Sequence, residues 1–190
     1  VEQTSGESSQ DFTPISNYTV SNESGTTKTY RVDLTRFTGL PIIYLTTESP
    51  VVSKEDYVNG TFHLEGGREY DSVDEMAMEI RGRGNSTWFV HPKKPYQMKL
   101  ESKRDLFGML EDKKWLFLAE YSDKTLVRNH LAFALGHRTT LTWTPSGHFA
   151  EVFVNGEHDG FYHITEKVED GSNRVDIGDT GFLLEIDQPD

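Results

Sequence analysis

Glu79-Ile80-Arg81-Gly82-Arg83-Gly84-Asn85-Ser86-Thr87-Trp88-Phe89-Val90-His91-Pro92-Lys93-Lys94-Pro95-Tyr96-Gln97-Met98-Lys99-Leu100 is the stretch on which the reading of this 190-residue chain turns. At its far end Tyr96, Met98 and Leu100 alternate with Gln97, Lys99 and Glu101, the period of two of a strand with one buried face. Lys99 then points away from that face. At its near end Met76-Ala77-Met78-Glu79-Ile80 is also strand-like. Between the two, Arg81 to Thr87 combines glycines that let backbone N–H groups approach a ligand with an amide, two hydroxyls and two guanidinium groups suited to phosphate. Taken alone, the segment fits a tight glycine turn with solvated arginines equally well, and it matches neither the Walker loop nor the G-x-G-x-x-G fingerprint.

Its charge stands out. From Arg81 to Arg104 there are seven basic residues and one acid, Glu101, in a chain whose net charge is −12. The average field repels nucleic acid and anionic membrane, so any anion site must be local. With no cysteine, the chain has no disulfide framework, thiolate metal site or thiol nucleophile. No apolar run approaches the roughly 20 residues that cross a bilayer. Val1-Glu2-Gln3 offers neither an initiator Met nor a signal-peptide core, so the front is expected to be processed or trimmed.

Residues 1–38 are rich in Ser, Thr, Glu, Gly and Asn and read as a linker or N-terminal extension, with apolar residues too sparse to offset the entropy of folding. Residues 39–190 read as one domain. It opens on Leu40-Pro41-Ile42-Ile43-Tyr44-Leu45, a run of strand length. Thr61-Phe62-His63-Leu64 and Trp115-Leu116-Phe117-Leu118-Ala119 are further strands. Ser122 or Asp123 can cap a helix running through Leu126, Val127, Leu131 and Leu135 to Gly136. Phe149 to Val154 and Phe161 to Ile164 flank Asn155-Gly156 and Asp159-Gly160, a strong hairpin signal. Gly181 to Ile186 reads as a last strand. The fold class expected is α+β, mostly antiparallel sheet with one principal helix.

Other constellations are less specific. The seven histidines lack metal-ligand spacing, and Ser86 lacks the Gly-x-Ser-x-Gly elbow of a hydrolase nucleophile. Trp88, Trp115 and Trp143 could stack on sugars if exposed, though core burial is the commoner fate of tryptophan. Asn-X-Ser/Thr sequons at Asn17, Asn22, Asn59 and Asn85 arise often by chance.

Several motifs in register resemble the CotH kinase family, named for a spore-coat protein and classed with atypical protein-kinase-like folds. They are Ile80 to Trp88, Lys93-Lys94-Pro95-Tyr96, Tyr121 to Asn129, Glu151 to Gly156, Thr165-Glu166-Lys167 and Phe182 to Asp187, and the likeness spans Leu40 to Asp190. The resemblance implies the small lobe of a kinase-like fold in an extracytoplasmic, cell-surface or spore-coat setting. It also implies ATP-dependent phosphorylation of protein Ser/Thr with Mg²⁺ or Mn²⁺.

On that resemblance Arg81, Gly82, Arg83, Gly84, Asn85 and Ser86 lie over the phosphates and Lys99 pairs with them, as a strand lysine does in protein kinases. Glu166 and Val168, with Thr165 and Lys167, meet the adenine edge through backbone groups, and Arg128 is a further phosphate candidate. One departure matters: the helix from Lys124 to Gly136 has no acid to pair with Lys99, so either an acid from a neighbouring strand anchors it, with Glu79, Glu151 and Glu185 as candidates, or Lys99 is not the nucleotide lysine. The acids for transfer and metal binding lie in family members further along than Asp190; Asp187, as a metal candidate, and Asp190, which Pro189 marks as a loop end rather than a catalytic base, are the terminal candidates here. The expectation is that this polypeptide alone binds ATP without completing transfer. The competing reading is a non-catalytic coat, adhesin or scaffold-associated module that keeps the fold. Exposed sheet edges make self-association a further expectation.

Overall fold

Strand propensity and alternation place most of the apolar side chains on the inner face of one curved sheet. The structure, a computed structural model, describes residues 16–32 and 39–185. The chain divides after residue 38 into two units. In the first, β1 (Ser16–Ser21) pairs antiparallel with β2 (Thr27–Val32), Tyr18 opposite Tyr30. Asn22 turns the chain between them, its Oδ1 accepting from the backbone N–H of Ser24 at 3.1 Å and of Thr26 at 2.8 Å. Part of the stretch read as linker is therefore a hairpin, made by Thr, Tyr and Val at strand positions around an Asn turn.

The second unit runs β3 (Ile42–Thr47), β4 (Val58–Glu65), β5 (Val73–Gly82), α1 (Ser86–Phe89), β6 (Tyr96–Arg104), β7 (Asp112–Leu118), α2 (Arg128–Gly136), β8 (Gly147–Val154) and β9 (Glu157–Glu166). The strands close in the order β3-β4-β5-β6-β7-β9-β8. Every pair is antiparallel except β3 with β8, where Ile43 lies opposite Val152. The fold is thus mostly β, a seven-stranded mixed barrel with two short helices, where an α+β antiparallel sheet was expected. Closure buries the two edges that an open sheet would leave unpaired.

Ile43, Phe62, Met78, Ile80, Met98, Leu100, Trp115, Phe117, Val152, Tyr162 and Ile164 fill the interior. On β5 and β6 the alternation holds: Met78, Ile80, Met98 and Leu100 are buried, while Glu79 and Lys99 lie on the other face. The turn between β8 and β9 needs only Asn155 (φ 52°) and Gly156 (φ 83°), the positive-φ pair of a two-residue hairpin. Asp159-Gly160 falls instead inside β9, where the register shifts opposite Val152 and Phe153.

Two expected elements change. Helix α2 starts at Arg128 rather than after Ser122 or Asp123, because Leu126 takes φ 61° and breaks the helical path. Its Leu131 and Leu135 remain exposed. Gly181 to Glu185 form no strand, with Phe182 and Leu184 exposed; Ile186 lies outside the described residues.

Candidate functional site

The glycine-rich loop is tied at its base. Gly82 N–H donates to Ser53 O at 2.8 Å and Arg83 N–H to Pro95 O at 3.2 Å. Gly82 is needed for packing: a Cβ there would sit 2.5 Å from Cη2 and Cζ3 of buried Trp88. Gly84 turns the chain at φ 84°, and a Cβ on it would meet Thr87 Oγ1 at 2.2 Å. Asn85 O accepts from the N–H groups of Trp88 and Phe89 to begin α1, while Asn85 Oδ1 accepts from Lys54 Nζ at 3.1 Å. The side chains of Asn85, Ser86 and Thr87 are exposed.

Much of the loop's positive charge is engaged within the protein. Arg81 stacks on Tyr57 at 4.7 Å and donates to Glu55 O. Lys94 donates to Trp88 O at 2.6 Å and His91 O at 2.7 Å, capping α1. Lys93 lies 4.1 Å over the Tyr162 ring and donates to Phe161 O. Arg83 is half-buried; burial draws its guanidinium pKa down, while the charge of Glu185 opposes that shift. A guanidinium held partly out of water in this way interacts more strongly with an incoming anion than a solvated one.

Lys99 donates to Glu79 Oε2 at 2.8 Å, its cross-strand neighbour on β5. That hydrogen bond and the carboxylate charge hold the Lys99 ammonium pKa above its ordinary value. The pair lines a cleft of about 650 Å³ with Thr46, Gly60, Ala77 and Lys113, within the size range of small-molecule sites. Gly60 lets the floor of this cleft close up, since a Cβ there would come within 2.1 Å of Thr46 O.

Arg128 stands at the start of α2 with its side chain 78% exposed and its Nε 3.4 Å from Asp123 Oδ1. Asp123 is the organiser of this turn. It accepts from the Thr125 hydroxyl at 2.7 Å, the Thr125 N–H at 3.0 Å and the Arg128 N–H at 2.8 Å. These bonds, the Thr125 hydroxyl first among them, pull its pKa down to about 2. On the next turn Asn129 Nδ2 donates to both carboxylate oxygens of Glu120, at 3.0 and 3.1 Å.

Glu166 ends β9 with its side chain buried. Its Oε1 accepts from Arg174 at 3.1 Å and its Oε2 from Ser146 N–H at 2.8 Å, while its own N–H donates to Ser146 O. Burial pushes the carboxyl pKa up, against the hydrogen bond from Ser146 and the charge of Arg174. Arg174 is itself buried, 5.1 Å over the Trp115 ring. Glu166 borders a second, smaller cleft with His137, Trp143, Ser146 and His148. Val168 is exposed.

The expected residues are therefore not gathered in one cavity. The loop does not line the cleft at Lys99, which lies three residues along β6 from Tyr96, about 10 Å at strand rise. Glu166 sits opposite Trp115, on the inner face and across β7 from Lys99. Asp187 lies outside the described residues. Among the described residues no group of three or more His, Asp or Glu is placed to hold a metal ion.

The CotH kinase protein family model matches residues 80–190, more than half of the chain. The chain belongs to the CotH kinase family. No curated protein matches it. In this CotH kinase family domain the match begins at Ile80, so it takes in the loop, Lys99, α2 and the β8–β9 hairpin, whereas β3, β4 and Glu79 precede it.

Three features of the CotH kinase domain went unread in the sequence: the Glu166–Arg174 pair, the Glu120–Asn129 contact, and the meeting of both Lys93 and Asp159 with Tyr162. The Asp159-Gly160-Phe161-Tyr162 run was visible, but only as hairpin chemistry. Its contact with Lys93 and Lys94 joins residues about 68 positions apart.

Proposed function

We propose that this domain is the nucleotide-binding part of a CotH protein kinase, holding ATP between the Arg81–Ser86 loop and Lys99. The observation that carries this reading is the Lys99–Glu79 ion pair. It sets an ammonium, anchored by a carboxylate, on the strand that directly follows the glycine-rich loop and at the wall of a cleft of suitable size. Protein kinases hold the α- and β-phosphates with a strand lysine oriented by a glutamate. Here α2 supplies no acid, and Glu79 takes that part from the neighbouring strand.

The order of parts also supports the reading. A glycine-rich loop joins β5 to β6, a helix separates β7 from β8, and β9 leads out through Glu166 toward Val168, where backbone groups would meet adenine. The acceptor is proposed to be a protein Ser/Thr hydroxyl. Transfer needs a carboxylate to orient that hydroxyl and acids to hold a divalent cation. No such acid cluster occurs among the described residues, so no transfer step is assigned to them.

The non-catalytic alternative is favoured by one observation: Arg81, Lys93 and Lys94 spend their charge on internal partners. Thermal-shift titration with ATP and Mn²⁺ separates the two. The kinase reading expects a saturable stabilisation that shrinks in Lys99→Ala and Asn85→Ala. No shift in the wild type supports the binding-module reading instead.

A further inference from the structure

The second half of the loop is bound to β9 by a compact set of contacts. Tyr162, fully buried, donates its hydroxyl toward Lys94 O at 2.8 Å and Asp159 Oδ2 at 2.6 Å. Above the same ring lies the Lys93 ammonium, which also donates to Phe161 O. Gly160 takes φ 103°, a conformation that other residues rarely adopt, and Lys93 Cε and Nζ lie 3.6 Å from where its Cβ would stand, an ordinary packing distance. Tyr96, where the loop rejoins β6, packs against Tyr162 with ring centroids 6.0 Å apart.

The electrostatics fit an engaged cation. Burial lowers the Lys93 pKa, and Asp159, Glu151 and Glu120 act against that. Burial pushes the Tyr96 phenol up to about 12. The two adjacent lysines divide the work, with Lys94 closing the carbonyl end of α1 and Lys93 fastening the chain to the hairpin.

We infer that Lys93, Asp159 and Tyr162 form a latch that sets the pose of the loop over the nucleotide phosphates. They are positioning residues, and the inference rests on reading that loop as the phosphate-binding element. The bulge at Asp159-Gly160 then has a purpose, since it turns the Asp159 carboxylate onto the Tyr162 hydroxyl at the level of the loop.

The test uses the full 190-residue chain and the variants Asp159→Asn, Tyr162→Phe and Lys93→Met. Hydrogen exchange by mass spectrometry is expected to show amides of residues 83–95 exchanging about tenfold faster, the scale of one lost charge-assisted hydrogen bond. Barrel strands β3 to β7 should be unchanged. The dissociation constant for ATP should rise about tenfold, while that for adenosine, which has no phosphate for the loop to meet, stays constant. Unchanged exchange at 83–95, exchange raised equally across the barrel, or a faster loop with unaltered ATP affinity would each overturn the latch. A wild type that binds no ATP overturns the nucleotide reading instead, and the exchange measurement still decides whether the latch holds the loop.

Discussion

Lys99 on β6 and Glu79 on β5 face each other directly across the strand register and are joined at 2.8 Å. Of the acids near the lysine, Glu79 is the one that bonds its ammonium. Lys99→Ala should weaken ATP binding while leaving the urea midpoint nearly unchanged, because both side chains are about two-fifths exposed and such pairs contribute little to stability. Glu79→Gln should weaken ATP binding less, since the ammonium remains. The raised Lys99 pKa means that the pair persists below the ordinary lysine value and is lost only as pH climbs through the raised one. Titrations between about pH 6 and about pH 9 should therefore show no loss of affinity traceable to Lys99.

Arg174 and Glu166 are a different kind of pair, with both partners buried. Arg174→Met leaves the Glu166 carboxylate without its cation, and a loss of about 3–5 kcal/mol in unfolding free energy is expected. Arg174→Met with Glu166→Leu should recover much of that loss. Chemical denaturation of the two variants checks this, and a double variant no better than the single would show that the charges were not balancing one another.

Gly82 carries the packing of the loop. Gly82→Ala places a methyl group into the Trp88 ring, and overpacking of this kind costs about 1–3 kcal/mol. Denaturation should show the loss and tryptophan emission should shift as the ring is displaced. Wild-type stability and emission in this variant would contradict the packing described.

Asp123 supplies an acid-range signature. Its pKa is depressed to about 2, so its contribution to stability is present above the unfolded value of about 3.9 and is lost as pH falls through the folded one. The stability gap between wild type and Asp123→Ala should be constant near neutrality and close between pH 4 and pH 2. A gap that persists unchanged at pH 2 would mean that the turn before α2 does not depend on the carboxylate.

What the sequence disclosed follows the range of the interactions. The alternation of Tyr96, Met98 and Leu100 and the Asn155-Gly156 turn are local, and β6 and the β8–β9 hairpin were legible from them. Barrel closure by parallel pairing of β3 with β8 joins segments more than 100 residues apart, and no local pattern encodes it. The start of α2 was misplaced because Asp123 organises a turn with Leu126 at positive φ before the helix begins. At the site, Lys99 was readable as a strand residue facing away from the core, and Glu79 as one of three candidate partners. The engagement of Arg81 and Lys93 by Tyr57 and Tyr162 was not, because an aromatic face leaves no mark at sequence spacing.

Whether the loop and Lys99 hold a nucleotide between them is decided by amide chemical-shift mapping of the isotope-labelled chain during titration with ATP and Mg²⁺. Saturable shifts are expected to concentrate on residues 83–87, Glu79 and Lys99, and to disappear from the loop when adenosine replaces ATP. Shifts confined to other surfaces, or none at millimolar ATP, would contradict nucleotide binding between the two.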